Sequence, residues 1–220
     1  MSNLFNLVWK ATGETFSMVF FSTIFSVLIG LPLGVVLHIT ADERTGGLHP
    51  IGWLNGLLSR IVNIFRSFPF IILIIVLMPL SRIIIGTSIG TAATIVPLSI
   101  AAAPFVARLV ETALKEIDPG VIQAAKAMGS TNWQIIIKVM IPEAYPSLVS
   151  GLTLTIINLI GYSAMAGALG GGGLGDLAIR YGYQRFMPSY LIASVVVTLL
   201  LVEVVQLLGN IFVKKIMSRR

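Results

Sequence analysis

Long apolar segments dominate the chain and are separated by short polar connections. No Asp, Glu, Lys or Arg occurs at positions 15–41, 83–107 or 144–175. A helix needs about 20 apolar residues to cross the ~30 Å hydrocarbon core of a bilayer, so each of these segments can hold one membrane span. We predict an all-α membrane protein with five transmembrane helices, at 16–39, 61–80, 89–107, 148–169 and 191–212.

The composition agrees with a membrane protein and excludes several soluble classes. Of the 220 residues, 56% are hydrophobic and 11% are charged, whereas soluble domains carry about 25% charged residues. A soluble enzyme, a nucleic-acid-binding domain and a disordered chain are therefore excluded. The chain has no cysteine, and His38 and His49 stand too far apart, without other ligands nearby, to indicate a metal site.

The basic residues predict which way the chain is inserted. Five spans place the two termini on opposite sides of the membrane, and cytoplasmic connections carry an excess of Lys and Arg. Eleven of the fifteen basic residues share the side of the C-terminus, namely Arg44, Arg60, Arg66, Arg108, Lys115, Lys126, Lys138, Lys214, Lys215, Arg219 and Arg220. We therefore predict that the N-terminus lies outside and the C-terminus inside, which makes the connection at 108–147 cytoplasmic.

Helix signals occur close together in this cytoplasmic connection. Asp118 followed by Pro119 is a helix start, because the carboxylate accepts from exposed amides and proline fits the first helical position. We predict a short helix at 119–128 that ends at Gly129. Thr131 with Gln134 three residues later predicts a capping box, and the second short helix that it opens is expected to end near Pro142.

The first of these short helices is slim. Small side chains at Ala124, Ala125 and Ala127 suit a helix that enters a groove on another protein. The alternative is an amphipathic helix that lies on the membrane surface. The residues of this segment by themselves leave both interpretations open.

The spacing in this connection resembles the EAA loop of ABC-importer permeases. That family pattern is Glu-Ala-Ala, three residues, Gly, nine residues and Ile-x-Leu-Pro; here Gln123, Val139 and Ile141 replace Glu, Ile and Leu. The resemblance implies that a coupling loop at 115–142 docks into a groove on an ATP-hydrolysing subunit. The residues that it assigns to this role are Gln123, Ala124, Ala125, Gly129, Val139, Ile141 and Pro142.

Four further stretches are similar to methionine-uptake permeases in particular. They lie at 66–73, 86–90, 102–111 and 161–175. The resemblance implies that residues 1–220 form one transmembrane domain of a bacterial inner-membrane importer for D- and/or L-methionine. It also implies a homodimer, two ATPase subunits and a periplasmic or lipid-anchored substrate-binding protein that contacts the outer connection at 170–189. A permease for another small amino acid or osmolyte is the near alternative, and a self-sufficient secondary transporter is the alternative from another class.

No phosphate-binding motif of the Gly-x-x-x-x-Gly-Lys-Ser/Thr type occurs in the chain. We therefore expect no cofactor in this chain and no enzymatic activity of its own. In the resembling family, ATP and Mg are bound by the partner ATPase.

The fourth predicted span carries the residues of a possible gate. Small residues are grouped at 161–168 around one flexible methionine, Met165. One interpretation is a closely packed helix crossing. The other is that two copies meet here at a translocation path that Tyr162, Ser163 and Met165 line or close.

A few polar residues and prolines within the spans also require an explanation. Glu203 serves a proton-coupled carrier or is a packing residue near Gln206. Arg108 and Glu111, three residues apart on one helix, are expected to form a local ion pair. Pro97 and Pro104 either free carbonyls towards a cavity or bend the third span for packing.

Overall fold

The computed structural model describes residues 2–42 and 46–218, and within these ranges the chain contains helices and no β-strand. Nine α-helices follow in chain order there: α1 Ser2–Ile39, α2 Gly52–Ser67, α3 Phe70–Ile85, α4 Thr91–Lys115, α5 Pro119–Ala127, α6 Asn132–Ile135, α7 Ile141–Ala166, α8 Gly173–Asp176 and α9 Pro188–Met217. Three π-helical segments lie at Ile136–Met140, Gly167–Gly171 and Leu177–Tyr183. The predicted all-α class is confirmed. Arg44, Arg219 and Arg220, which contributed to the predicted orientation, lie outside the described residues.

Four helical stretches are long and apolar enough to cross a membrane: α1, α4, α9, and the continuous stretch 132–171 that contains α7. A fifth crossing is formed if α2 and α3 count as one span, although they meet at an angle of 107°. The predicted span at 61–80 is therefore not one straight helix. Pro69 is the reason, because a proline forces the preceding residue out of the helical region, and Phe68 is extended at φ −69° and ψ 131°.

The helices α1 and α4 run parallel and form the centre of the bundle, since Gly30 lies against Ala103 and Gly34 against Ala107. They approach closely because Gly30 and Gly34 have no side chain. A Cβ at Gly30 would lie 2.6 Å from the carbonyl oxygen of Ala103, and one at Gly34 would collide with that of Ala107. Small residues allow such close helix crossings. Pro97 and Pro104 are buried within α4, in the packed interior.

The two ends of the bundle are built differently. At one end, α1 begins and the glycine-rich segment 170–175 packs against it; we call this the glycine end. At the other end, α1 and α4 finish beside α5, and Met217 of α9 lines the same cavity as Asp118; we call this the α5 end. Residues 2 and 218 therefore lie at opposite ends of the bundle.

The local helix signals within the predicted coupling loop are confirmed. Asp118 Oδ1 accepts from the Gly120 amide at 2.7 Å, and Gly129 has a φ of +80° just after α5. The Thr131 hydroxyl accepts from the Gln134 amide at 3.3 Å, while the Gln134 side chain accepts from the Thr131 amide at 2.9 Å. Both contacts of the capping box are present.

The prediction that the second short helix ends near Pro142 is wrong. The chain stays helical from residue 132 through Pro142 to Ala166, the end of α7. A π-helical turn at Ile136–Met140 precedes the proline, and the Ile141 amide donates to the carbonyl of Ile136, five residues earlier. This local widening changes the hydrogen-bond register just where Pro142 has no N–H to donate, so the helix continues past it.

Candidate functional site

The coupling loop has one face that packs on the bundle and one that does not. Ile122 and Ala125 are buried in a cluster with Leu114 of α4, Ile135 of α6 and Met140. Ala125 is only 2% exposed, so its small side chain allows α5 to pack on its own chain. A docking groove on another protein cannot reach it.

The opposite face of the loop is open. Gln123, Ala124 and Gly129 are exposed, as is Met128, at 79%. The predicted residues of the coupling loop therefore fall into two sets. Three of them lie on this open face, which we call the docking face.

The remaining motif residues lie nearer the bundle. Val139 and Ile141 are partly buried against the cluster that holds Ala125, while Pro142 is exposed. Trp133, which the sequence reasoning missed, is 69% exposed just after the capping residue Thr131. An exposed tryptophan beside a docking face is typical of an interface anchor, and its position next to the capping box is the sequence signal that was available.

An ionic network ties the end of α4 to α2. The Glu111 carboxylate, 3% exposed, pairs with Arg108 Nη1 at 2.5 Å and with Lys115 Nζ at 2.6 Å. Arg108 Nη2 also donates to Asn63 Oδ1 of α2 at 2.9 Å. The predicted pair is therefore confirmed, and the structure adds Lys115 and Asn63 to it.

The three predicted gate residues do not form one cluster. Ser163 is buried and donates to the carbonyl of Ile160 at 2.7 Å, within its own helix. Tyr162 stacks on Phe70 of α3, with ring centroids 4.0 Å apart. Met165 is 48% exposed. Of the three, Met165 alone presents a large exposed side chain.

The glycine segment 170–175 is held by residues that the sequence reasoning missed. Glu14 Oε2 accepts from the Gly173 amide at 2.8 Å, and Thr15 Oγ1 accepts from the Leu174 amide at 2.9 Å. We call this pair of contacts the α1 clasp. The available signal was a Glu-Thr pair at the boundary where the first uncharged segment begins.

Glycine is required on the other side of the clasp. Gly172 and Gly173 have φ angles of +80° and +77°, which side-chain-bearing residues rarely adopt. A Cβ at Gly173 would lie 2.6 Å from Thr15 Oγ1, and one at Gly172 would lie 2.8 Å from Glu14 Oε2. Both the backbone conformation and the space therefore require glycine here.

The connection after the glycine segment ends in an exposed aromatic and basic surface. The Arg185 guanidinium lies 4.6 Å from the ring centroid of Tyr181, and Arg180 pairs with Asp176 at 2.6 Å. Phe186 is 86% exposed. We call 180–187 the outer connection surface.

Glu203 lies near the middle of α9 and is exposed. Gln206 donates to Asn210 at 3.0 Å, so it is not used to satisfy the carboxylate. Across residues 2–42 and 46–218, Glu203 makes no hydrogen bond or ion pair. The structure therefore gives the Glu203 carboxylate no hydrogen bond to Gln206.

Comparison with known proteins gives a consistent result. The model of the family described as binding-protein-dependent transport system inner membrane component matches residues 30–218. A probable D-methionine transport system permease protein of Vibrio cholerae is 45% identical over 97% of this chain and 94% of its own. The D-methionine transport system permease protein of Escherichia coli K12 is 52% identical over 73% of each chain.

Solved structures are similar over nearly the whole chain. A crystal form of the MetNI methionine ABC transporter in an inward-facing conformation aligns with a TM-score of 0.94 and 45% identity, over 98% of this chain and 99% of that one. An amino acid ABC transporter aligns with a TM-score of 0.77 over 98% of this chain and 96% of that one. At 19% identity, the second likeness shows the fold alone.

Proposed function

The chain belongs to the binding-protein-dependent transport system inner membrane component family, and from this premise we propose that it is the permease subunit of an ATP-driven importer of methionine. The observation that carries the proposal is similarity from end to end. A D-methionine permease and a chain of the MetNI methionine transporter each match at 45% identity, over 97% and 98% of this sequence. Such coverage leaves little of the chain for a different function.

The α5 end faces the cytoplasm in this proposal, and the docking face meets an ATPase subunit there. The positive charge of the predicted inner connections supports that orientation. ATP and Mg belong to the ATPase partner. Gln123, Ala124 and Met128 are exposed together on α5 and its cap, and Trp133 adds apolar area beside them.

A movement of α5 reaches the membrane helices through the packed cluster beneath it. Ile122 and Ala125 contact a core to which α4 contributes Leu114 and α7 contributes Ala144. Packed interiors resist deformation, so a displacement of α5 moves the ends of α4 and α7 with it. In this way ATP-driven closure of the partner changes the arrangement of the spans.

The glycine end faces outward and receives the substrate-binding protein on the outer connection surface. Phe186 and Tyr183, 86% and 73% exposed, offer aromatic contact area, and Arg185 adds positive charge. A second copy of the chain completes the pathway, because five spans enclose little space alone. The apolar face of α9, only 6% buried within one chain, is left for that copy or for lipid.

The experiment that tests this function is reconstitution of this chain with a candidate ABC ATPase subunit and a candidate methionine-binding protein. ATPase association and methionine uptake into proteoliposomes are measured for wild type and for Ala124→Trp. We expect the indole on the docking face to prevent association. Ala92→Trp is the matched control, because Ala92 is also exposed but lies at the start of α4, at the glycine end.

The outcomes separate the parts of the proposal. If no ATPase associates with the wild type, the importer assignment fails. If Ala124→Trp associates as well as Ala92→Trp, the docking face is wrong. If the assembled wild type transports another amino acid and not methionine, the cargo is wrong and the class stands.

A further inference from the structure

A small cavity lies where the bent pair α2 and α3 is broken. Its volume is ≈ 130 Å³, and its lining includes Arg66, Phe70, Phe105 and Tyr162. Ala101 also lines it, so the cavity lies beside the middle of α4 and away from both ends of the bundle. The break at Pro69 brings Arg66 to this depth, so Arg66 lies deeper in the bundle than the inner-side position that the charge count predicts.

Arg66 has no counter-ion in the described part of the chain. It makes no hydrogen bond or ion pair with residues 2–42 or 46–218, whereas Arg108 has both Glu111 and Asn63. A guanidinium at the depth of the membrane interior is costly unless it is paired. Its exposed position on the cavity wall leaves it accessible to an anion that the chain does not itself supply.

The wall beside Arg66 is aromatic. Phe70 and Tyr162 stack with an interplanar angle of 11°, and Phe105 lies on the same lining. Aromatic rings make favourable contacts with thioether sulfur and with ammonium groups. The cavity therefore combines a partner for a carboxylate with a surface for an apolar or sulfur-containing side chain.

We propose that this cavity is a transit site for the transported amino acid, in which the guanidinium of Arg66 binds the α-carboxylate and the Phe70–Tyr162 pair contacts the side chain. The proposal rests on the proposed import function. A planar guanidinium suits a carboxylate because it can donate two parallel hydrogen bonds. Closed ligand pockets enclose roughly 300 Å³ or more, so a ligand here is only partly enclosed. Partial enclosure suits transit, since conduction needs binding weak enough for the solute to leave.

The test uses the permease–ATPase complex in nanodiscs without binding protein, with radiolabelled methionine as the probe in a scintillation proximity assay. We expect saturable binding to the wild type and at least about tenfold weaker binding to Arg66→Gln, because charged hydrogen bonds are lost. Arg66→Lys keeps the positive charge but loses the planar guanidinium that can donate two parallel hydrogen bonds, so intermediate binding is expected. Arg60→Gln is the control, since Arg60 lies on the same helix, is exposed, and does not line the cavity.

Competitors identify the group that Arg66 recognises. Norleucine, which keeps the carboxylate, is expected to displace methionine from the wild type. Methioninol, which has an alcohol in place of the carboxylate, is expected not to. Equal displacement by both would overturn the assignment of Arg66 to the carboxylate.

Uptake driven by the complete system is measured on the same preparations. If the wild type imports methionine while Arg66→Gln binds and imports like Arg60→Gln, the transit site is wrong and the import function stands. If the wild type imports no methionine, the proposed function fails. A labelled amino acid that binds the wild type and not Arg66→Gln would then still support the site.

Discussion

The α1 clasp allows a local prediction whose size follows from the structure. Thr15→Val removes the hydroxyl that accepts from the Leu174 amide at 2.9 Å, while the valine keeps the shape of the side chain. Thr15 is 3% exposed and Leu174 2%, so in the variant the Leu174 amide cannot form a hydrogen bond with water instead. A buried amide left without a partner costs about 1–3 kcal/mol.

That cost appears as easier local opening of the glycine segment. Each 1.4 kcal/mol changes an equilibrium about tenfold, so the Leu174 amide is expected to exchange roughly 5- to 150-fold faster. Hydrogen–deuterium exchange with mass spectrometry on peptides that cover 168–176 measures this directly. Glu14→Ala is expected to act on the neighbouring Gly173 amide, whose acceptor is Glu14 Oε2 at 2.8 Å.

The control is Thr12→Val on the same helix. The Thr12 hydroxyl donates to the carbonyl of Val8 at 2.7 Å, so its loss affects α1 and not the glycine segment. Thr15→Ser restores the acceptor and is expected to return exchange to the wild-type rate. If Thr15→Val exchanges like Thr12→Val in this peptide, the clasp does not hold the segment and the reasoning is refuted.

Further predictions concern the loop, the ionic network and α9. Ala125→Trp is expected to destabilise the chain by about 1–3 kcal/mol or more through overpacking, so less of it elutes as a single species in size-exclusion chromatography; Ala124→Trp elutes like the wild type. Glu111→Gln leaves two cations without their carboxylate, and we expect a loss of about 2 kcal/mol, measured as a melting midpoint lower by roughly 4–8 °C. Lys126→Gln, an exposed charge change, is its control. Glu203→Gln is expected to leave ATP-driven methionine uptake unchanged within about twofold, and complete loss of uptake would favour proton coupling.

The sequence predicted the features that depend on near neighbours. The start of α5 at Asp118 and Pro119, its end at Gly129 and the capping box at Thr131 need contacts over only two or three residues, and all are present. The same reasoning failed at Pro142, where a π-helical turn accommodates the proline. The sequence shows where the proline is. It carries no signal for the change of hydrogen-bond register that lets the helix continue past the proline.

Features that join distant parts of the chain could not be predicted from the sequence. The α1 clasp connects residues 159 positions apart, and a search for uncharged segments treats Glu14 merely as a boundary. The bend between α2 and α3 was also missed. The search for apolar segments averages over 61–80, and a single proline, Pro69, barely changes that average. The buried orientation of Ala125 could have been predicted from the sequence, because Ile122 and Ala125 are three residues apart and share one helix face.

The helix α4 connects the features that matter for transport. At the α5 end its Leu114 packs in the cluster beneath the coupling loop. Its middle lines the Arg66 cavity through Ala101 and Phe105. Beside its start, Gly90 donates to the carbonyl of Gly170 at 2.9 Å. With 25 residues, it spans about 37 Å at 1.5 Å per residue. A displacement of α5 therefore has a direct mechanical route, along one helix, to both the proposed transit site and the glycine segment.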